Sequence, residues 1–511
     1  MNLLAVGRSL LVGVGLGVMR TPAGRADPLV FTAFETALKA ADPRRLWRVQ
    51  DLAAGATFAG IGNLLAAGEF TAMELTLAFL ARIRVHDEAL RSIIELNPGA
   101  LEEAGRADER RRTGQVLGPL DGVPLTLKDN IETGPGMHTT AGAQILAGHV
   151  ASADAPLVVA LRAAGAVILG KANLSELAGA VCRTPGVSAV GGATVNPYGA
   201  TFTPGGSSSG SAVSVAAGLC AASVGTETSG SLIAPASFNG VVGMKPSRGV
   251  VSGDGVVPLV RHQDSAGPLA RCVEDAALVL AAMAGQPVPV DLRPDALSGV
   301  RVGVLRADIL AQKSPYENTA DNPAILQRIA KGLSAAGALA VDCEIALPEV
   351  RKGFDATLTK VVLGGLAHDT MGYLAAAGAP VATIEALQAY NLKDPRRRMP
   401  KGQFLLGLAV LLAPDADGYD MAALAHRRQA DDILVATFTE SGTEVLASLT
   451  NLHSALYATA GYPAITVPLG LRADGMPVGV TLIGKPGTDA QLLGFAYAFE
   501  QATQLRVAPN L

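Results

Sequence analysis

Residues 203–250 read TPGGSSSGSAVSVAAGLCAASVGTETSGSLIAPASFNGVVGMKPSRGV. Small residues and hydroxyl side chains dominate this stretch, and side chains that could fill a core are sparse. Ordering such a chain costs conformational entropy and gains little apolar burial. We therefore expect its backbone to approach a ligand closely. The alternative is a Gly/Ser-rich linker, which the Ala/Val/Leu run over 212–224 disfavours because that run is predicted as a tightly packed helix.

A short motif within this stretch suggests one kind of serine nucleophile. Residues 206–210 fit G-x-S-x-G, the pattern of a nucleophile elbow, with Ser208 at its centre. That elbow needs a strand before it, and residues 198–204 make a poor buried strand. Its triad also needs a later Asp and His, and the candidates His426 and His453 lie in no distinctive context.

A serine nucleophile without histidine needs another base, and a lysine can serve when burial holds it neutral. Lys128 ends an apolar run, GPLDGVPLTLK over 118–128. A buried strand over 123–127 would carry it inward, where desolvation lowers the pKa of a lysine. The local sequence leaves a second interpretation open, a strand-end lysine that reaches solvent or pairs with Asp129.

Composition excludes several classes of function. The chain has 511 residues, 49% of them hydrophobic and 17% charged, and a formal net charge of −4. This is not a disordered chain, and without a run of like charges nucleic-acid binding is not expected as its main task. The cysteines form no C-x-x-C pair, so structural zinc is disfavoured and we expect no metal. Cys220 is interpreted as a small buried hydrophobe.

The N-terminus resembles a secretory signal. Arg8 precedes an apolar stretch over 10–19, and cleavage is plausible after Ala26, which gives a candidate signal peptide over residues 1–26. The stretch is too short for a bilayer span, so no stable membrane span is expected. Arg20 follows closely and weakens the pattern. We expect a periplasmic or secreted protein if the signal is real and a cytoplasmic one otherwise.

Alternating short apolar runs and helical periods predict an α/β fold without a long linker, and hence a single domain over 27–511. Thr71 and Glu74 form a capping box before a helix. Strands are predicted at 123–127, 166–169, 302–305 and 478–483, and helices at 156–164 and 490–502.

Several motifs, taken together and in this order, resemble those of the amidase signature family. In their details they are most similar to the motifs of its bacterial peptide amidases. They are GPLDGVPLTLKDNI (118–131), GKANLSELA (170–178), PGGSSSGSAV (204–213), GTETSGSLIAPA (225–236), GVVGMKPSRG (240–249), QDSAGPLAR (263–271), AGYPAITVPLG (460–470) and GMPVGVTLIG (475–484). The resemblance covers roughly residues 60–505. It implies an α/β amidase signature fold with a central mixed β-sheet covered by helices on both sides, and no cofactor.

The resemblance also implies a Ser-Ser-Lys triad. If the family's roles apply to the matching positions, Ser231 is the nucleophile, Ser207 relays the proton and follows a cis peptide bond, and Lys128 is the base. The oxyanion that forms on an attacked amide needs hydrogen-bond donors. Consecutive backbone N–H groups with little side-chain bulk offer them at Thr228, Ser229, Gly230 and Ser231.

Two departures from the family pattern concern this site. The family usually has Gly, or Asp in the peptide amidase branch, where this chain has Ser229. Relatives also carry a longer, Pro-rich segment where residues 446–452 run almost directly into the next motif. The shortening could widen the substrate pocket, alter specificity or abolish activity.

Other motif residues have more than one interpretation. Asn173 and Ser175 either organise the loop near the nucleophile or cap the helix that begins there. Asp264 and Arg271 are interpreted as structural pairing residues outside the site.

The function expected from these residues is that of a serine hydrolase. It would cleave linear carboxamides, C-terminal peptide amides among them, to a carboxylate and ammonia or an amine through an acyl-enzyme. Two alternatives stay open: the glutaminase subunit of a tRNA-dependent amidotransferase complex, and a catalytically impaired member that acts as a binding protein. The expected partner is a small-molecule or peptide amide, and the expected state a monomer or homodimer.

Overall fold

The computed structural model of the protein describes residues 27–182, 184–285, 291–347 and 354–511. The candidate signal peptide over residues 1–26 lies outside these ranges. Within them, none of the helices combines the length and the apolar character that crossing a membrane requires.

One mixed β-sheet organises the described residues. Its strands are Ile93–Leu96 (β1), Pro124–Lys128 (β2), Val167–Ala172 (β3), Ala222–Glu227 (β6), Val242–Lys245 (β7), Ser265–Ala270 (β8), Arg301–Val304 (β9), Leu339–Asp342 (β10), Val445–Leu449 (β11), Ala464–Leu471 (β12) and Pro477–Ile483 (β13). Their spatial order is β1-β3-β2-β6-β8-β7-β12-β13-β11-β9-β10. A separate ribbon pairs Val187–Ser188 (β4) with Gly192–Ala193 (β5).

Helices flank this sheet, as the sequence resemblance implied. They are Glu35–Ala40 (α1), Pro43–Ala54 (α2), Phe58–Ala66 (α3), Ala72–Leu90 (α4), Ala100–Arg112 (α5), Pro156–Ala163 (α6), Ser209–Ala216 (α7), Ile233–Phe238 (α8), Val273–Met283 (α9), Arg306–Ala311 (α10), Asn322–Ala335 (α11), Phe354–Gly365 (α12), Met371–Ala376 (α13), Ile384–Leu392 (α14), Pro395–Arg398 (α15), Phe404–Leu412 (α16), Ala416–Ser441 (α17), Ser454–Ala460 (α18) and Asp489–Thr503 (α19).

The strands and helices predicted from apolar periodicity are confirmed to within a few residues at their ends. The capping box at the start of α4 is also confirmed, because Thr71 accepts from the backbone N–H of Glu74 while the Glu74 side chain accepts from that of Thr71. Cys220 is fully buried, as expected of a small hydrophobe.

The prediction of one small-residue helix over 212–224 is wrong in its extent. The helix starts earlier, at Ser209, and ends at Ala216, and strand β6 begins at Ala222. Gly218 has a φ of +66°, a left-handed conformation in which glycine carries no steric penalty. The chain therefore leaves the helix there and enters the sheet.

Strand directions bring several chain segments to one edge of the sheet. β2 lies between β3 and β6 and runs parallel to both, and every residue of β2 is buried. Parallel neighbours end at the same edge, so Lys128 at the end of β2 lies close to the end of β6. β8 is antiparallel to β6 and pairs Ser265 with Glu227, which places residue 264 at that edge as well.

Helix α7 packs against the end of β3 with no room for a side chain at Gly210. A Cβ there would lie 2.2 Å from the carbonyl oxygen of Ser92 and 2.5 Å from the backbone nitrogen of Asn173. The Gly210 N–H donates to the carbonyl of Asn173 at 2.9 Å. Glycine at this position thus fixes how closely the start of α7 approaches the sheet.

We expect Gly210→Ala to lower the free energy of unfolding by at least about 2 kcal/mol, because backbone atoms on two other segments must move. Gly62→Ala is the matched control, since Gly62 lies inside α3 and a Cβ there meets nothing within 4 Å. That change should raise the free energy of unfolding by about 0.5–1 kcal/mol. Urea unfolding of both variants measures the difference, and equal effects would contradict the packing described here.

Candidate active site

Lys128 lies at the end of β2 and is fully buried. In its ammonium form, its Nζ donates to Ser207 Oγ at 2.7 Å, to Thr226 Oγ1 at 2.8 Å and to the Thr226 carbonyl at 3.3 Å. Asn130 Nδ2 also donates to Thr226 Oγ1, at 3.0 Å. The local alternatives, a lysine in solvent or paired with Asp129, are therefore both wrong. Asp129 instead lies 3.4 Å from a second buried lysine, Lys171.

Burial sets the protonation of Lys128. Desolvation lowers the pKa of its ammonium to about 7, although the carboxylates of Asp264 and Glu227 oppose that change. A buried charge is costly when it is not directly paired, which is why the neutral amine gains. At neutral pH a large fraction of this lysine can accept a proton.

Ser207 lies just before helix α7 and is 2% exposed. The Gly206–Ser207 peptide bond is cis. The Ser207 carbonyl accepts from the Ser175 N–H at 3.0 Å, and a Cβ on Gly206 would lie 2.4 Å from Ser175 Oγ. The two glycines before Ser207 are thus needed for packing, since a Cβ on Gly205 would also meet the backbone of Pro235 at 2.8 Å.

Ser231 lies between strand β6 and helix α8 and is 9% exposed. Within the described residues its Oγ makes no hydrogen bond, whereas its carbonyl accepts from the Ser208 N–H at 3.2 Å. Ser231 and Ser207 line the same cavity of about 340 Å³. The other lining residues are mostly small or polar: Ser175, Ala178, Gly179, Cys182, Thr184, Pro185, Gly206 and Leu405.

The loop from Thr228 to Ser231 presents backbone donors next to this cavity. Among the described residues, no acceptor takes the N–H of Ser229, Gly230 or Ser231. Glu227 Oε2 accepts from the N–H of Leu232 at 2.8 Å and so ties together the two ends of the loop. The loop can therefore offer N–H groups to a bound oxygen without losing internal hydrogen bonds.

The two departures from the family pattern meet at this loop. Ser229 Oγ donates to Ser454 Oγ at 3.3 Å, and Ser454 follows the shortened segment. Gly230 has a φ of +79°, and a Cβ there would lie 2.6 Å from Asn451 Nδ2 and 3.0 Å from Ser454 Oγ. The short connection after β11 thus packs directly against the loop that carries Ser229.

Asn173 and Ser175 organise the chain around Ser207. Asn173 Oδ1 accepts from Ser188 Oγ at 2.8 Å, and Ser175 Oγ accepts from the Gly186 N–H at 2.9 Å. Ser175 makes no side-chain cap, and Leu177, inside the short turn that follows, has a positive φ of 46°. Of the two interpretations, loop organisation is therefore the one that the structure supports.

Asp264 contacts the candidate site through Thr228. Its position in the sequence motif alone did not indicate this contact. It is buried, and its carboxylate accepts from Thr228 Oγ1 and from the Leu259 and Val260 N–H groups. Burial raises its pKa to about 6. Arg271 lies elsewhere and donates to the carbonyls of Ala54 at the end of α2 and of Ala56 just after it.

Sequence reasoning missed Thr226 and Asn130, which complete the surroundings of Lys128. Both belong to the quoted motifs, but only the pairing of β2 with β6 shows that Thr226 contacts the lysine. The one signal that could have suggested it is a hydroxyl residue inside a strand that is buried throughout, since buried hydroxyl groups need partners.

Ser208, the nucleophile of the elbow hypothesis, points away from the cavity. It is fully buried, its Oγ donates to the Thr226 carbonyl at 3.0 Å, and in the described chain the preceding strand ends at Ala193 and does not lead directly into Ser208. His453 lies between two polar side chains, since its Nδ1 lies 2.6 Å from Ser448 Oγ and its Nε2 lies 3.1 Å from Asp308 Oδ2. Ser448 is buried within β11 and lines none of the cavities described here.

The chain is similar to known proteins over most of its length. The family model described as Amidase matches residues 74–493. A glutamyl-tRNA(Gln) amidotransferase subunit from Symbiobacterium thermophilum is 34% identical over 485 residues, which cover 87% of this chain and 96% of that protein.

Solved structures match over most of the fold. An amidase family protein from Bacillus anthracis superposes with a TM-score of 0.86 at 33% identity, covering 94% of this chain and 97% of the other. The native peptide amidase from Stenotrophomonas maltophilia gives a TM-score of 0.81 at 38% identity, covering 89% and 99%.

The lowered pKa of Lys128 predicts how the free energy of unfolding depends on pH. In the unfolded chain a lysine has a pKa of about 10.4. Between about pH 7 and pH 10 the unfolded state therefore binds one more proton than the folded state. The free energy of unfolding should rise over this window by about 1.4 kcal/mol per pH unit relative to Lys128→Met, which lacks this titration.

Urea unfolding at pH 6, 7, 8 and 9 measures that difference. The control is Lys331→Met on the exposed face of helix α11, which should run parallel to the wild type. A Lys128→Met curve parallel to the wild type would mean that Lys128 keeps its ordinary pKa in the folded chain.

Proposed function

The chain belongs to the amidase signature family, and we propose that it is a serine hydrolase of linear carboxamides. Ser231 acts as the nucleophile, Ser207 as the proton relay and Lys128 as the base. The observation that carries this proposal is the 2.7 Å hydrogen bond between the buried Lys128 amine and Ser207, whose side chain shares a cavity with Ser231. A lysine that is neutral near pH 7 can accept a proton, which an ordinary lysine cannot.

The first half-reaction forms an acyl-enzyme. Neutral Lys128 takes the Ser207 proton while Ser207 takes that of Ser231, and Ser231 Oγ attacks the amide carbon. The negative charge that develops on the carbonyl oxygen is stabilised by the free N–H groups of the 228–231 loop. The proton then returns through Ser207 to the amide nitrogen, the C–N bond breaks, and ammonia or an amine leaves.

The second half-reaction restores the enzyme. A water molecule attacks the Ser231 ester and gives its proton to the same Ser207–Lys128 pair. The tetrahedral intermediate collapses, the proton returns to Ser231 Oγ, and the product leaves as a carboxylic acid that releases its remaining proton to solvent and becomes a carboxylate. Both half-reactions use one base and one relay, so the chemistry needs no group beyond those that surround the cavity.

C-terminal peptide amides are the first substrates to try, because a peptide amidase is among the similar solved structures. The second candidate function is that of a glutaminase subunit, favoured by the 34% identity to a glutamyl-tRNA(Gln) amidotransferase subunit. The two differ in substrate, since the second would release ammonia from free glutamine and depend on a partner protein for full activity.

We expect Ser231→Ala to reduce ammonia release from amidated peptides and simple amides by at least about a thousandfold, because no other hydroxyl in the cavity occupies its position. Ser298→Ala, an exposed residue outside the reactive cavity, should behave as wild type. Ser208→Ala should keep measurable activity. Activity that survives in Ser231→Ala and disappears in Ser208→Ala would instead support the nucleophile-elbow mechanism.

The same panel separates the remaining functions. Release from glutamine alone, stimulated by a co-purified protein, would favour the glutaminase role. A folded wild-type protein that releases nothing from any amide would favour a binding protein.

The pKa of Lys128 also predicts how the rate depends on pH. kcat/KM should fall as pH decreases through about 7, since protonated Lys128 cannot act as base. Asp264 favours the charged lysine, so Asp264→Asn should move this acid limb to lower pH. Asp417→Asn, at an exposed carboxylate on helix α17, should leave the limb in place. A shift of the acid limb to higher pH in Asp264→Asn would contradict the assignment of Lys128 as the titrating base.

A further inference from the structure

A second cavity lies apart from the candidate active site and is lined by arginines. Its volume is about 150 Å³, and it lies between helices α2 and α4, the end of helix α7 and the C-terminal segment over 506–509. Trp47, Arg82, Arg271 and Arg506 line it, and none of them lines the cavity that holds Ser207 and Ser231.

Two of these arginines are held in place by backbone carbonyls. Arg82 Nε donates to the Ala217 carbonyl at 2.9 Å. Arg271 Nη1 and Nη2 donate to the carbonyls of Ala54 at 3.1 Å and Ala56 at 3.0 Å. A guanidinium has five N–H donors, so each of these two keeps donors in excess of the bonds it makes.

Arg506 is not held by any such bond. Within the described residues its side chain makes no hydrogen bond and no ion pair, and its Nε is buried without a partner. Burial has the largest effect on its guanidinium and lowers the pKa, Tyr198 opposes this, and the neighbouring charge of Arg271 lowers the pKa further. Part of the Arg506 side chain is exposed, and its Nε is the buried atom. A cationic group that is partly removed from water and has no counter-ion is destabilised, so an anion next to Arg506 would stabilise it.

The acidic groups near the cavity do not neutralise these charges. Asp51 lines the cavity but is exposed, and none of the described residues forms an ion pair with Arg82, Arg271 or Arg506. Glu500 is close to Arg506, but it accepts from the Val273 N–H, and burial raises its pKa to about 7. The cavity therefore keeps an excess of positive charge.

We propose that this cavity is a binding site for a phosphate group. A carboxylate is satisfied by the two parallel donors of one arginine, whereas a tetrahedral oxoanion can take donors from several directions at once. Three guanidinium groups around a small cavity fit the second case. The ligand is inorganic phosphate or the phosphate of a monoester whose organic part lies against Trp47, which is 66% exposed at the rim.

The chain supplies its own reporter for this site, because Trp47 is its single tryptophan. Titration of the full chain with sodium phosphate should change the Trp47 fluorescence with saturation and raise the Tm. Sodium chloride at equal ionic strength should do neither. Phenyl phosphate in a parallel titration distinguishes the two sources, since tighter binding than inorganic phosphate indicates a monoester and equal binding indicates free phosphate.

Two variants test the proposed phosphate site, because one should weaken phosphate binding and the other should strengthen it. Arg506→Gln should weaken phosphate binding by about tenfold or more, as expected for the loss of charge-assisted hydrogen bonds. Asp51→Asn should tighten it about two- to fivefold, because a nearby like charge is removed. Asp51 is exposed, so this variant tests the site even if Arg506→Gln fails to fold.

Arg396→Gln, on an exposed surface elsewhere, should bind as wild type. A fluorescence and Tm response that matches the one to chloride, or one that is identical in wild type, Arg506→Gln and Asp51→Asn, would overturn the proposal. These readouts involve no amide hydrolysis, so they stand apart from the proposed function.

Discussion

The burial of one lysine amine at the end of strand β2 constrains everything around the candidate site. An amine without solvent must be neutral or hydrogen-bonded, and Lys128 gains its partners from two other segments, Thr226 on β6 and Ser207 before α7. Both must lie within about 3 Å of one atom. The parallel pairing of β2 with β6 meets the first requirement, and the packing of residues 204–210 meets the second.

That packing explains why the central segment is so poor in large side chains. Gly205, Gly206 and Gly210 each lie where a Cβ would come within 3 Å of another segment. The stretch gains little apolar burial of its own, so the surrounding sheet and helices must compensate for the entropy of ordering it. A linker would have the same composition, but it would not have backbone contacts of this kind to neighbouring segments.

The sequence predicted much of this, for two different reasons. The strands and helices came from local periodicity, and the positions of Lys128, Ser207 and Ser231 came from the resemblance to a family. Local evidence alone left Lys128 open, because burial at a strand end depends on which strands flank it. The helix predicted over 212–224 failed because apolar small residues suit a helix and a buried strand equally well, and only Gly218 marks the change. The contacts of Asp264 and Thr226 depend on strand order, which no local pattern reveals.

Ser229 shows how a departure from a family pattern can be accommodated without disturbing the neighbouring donors. Its hydroxyl donates to Ser454, which follows the connection after β11, so the side chain is hydrogen-bonded away from the backbone N–H groups. Glycine stays at position 230, where the positive φ and the Asn451 side chain leave no space for a Cβ. The two positions are thus in contact, and the hydroxyl at residue 229 has a polar partner in Ser454.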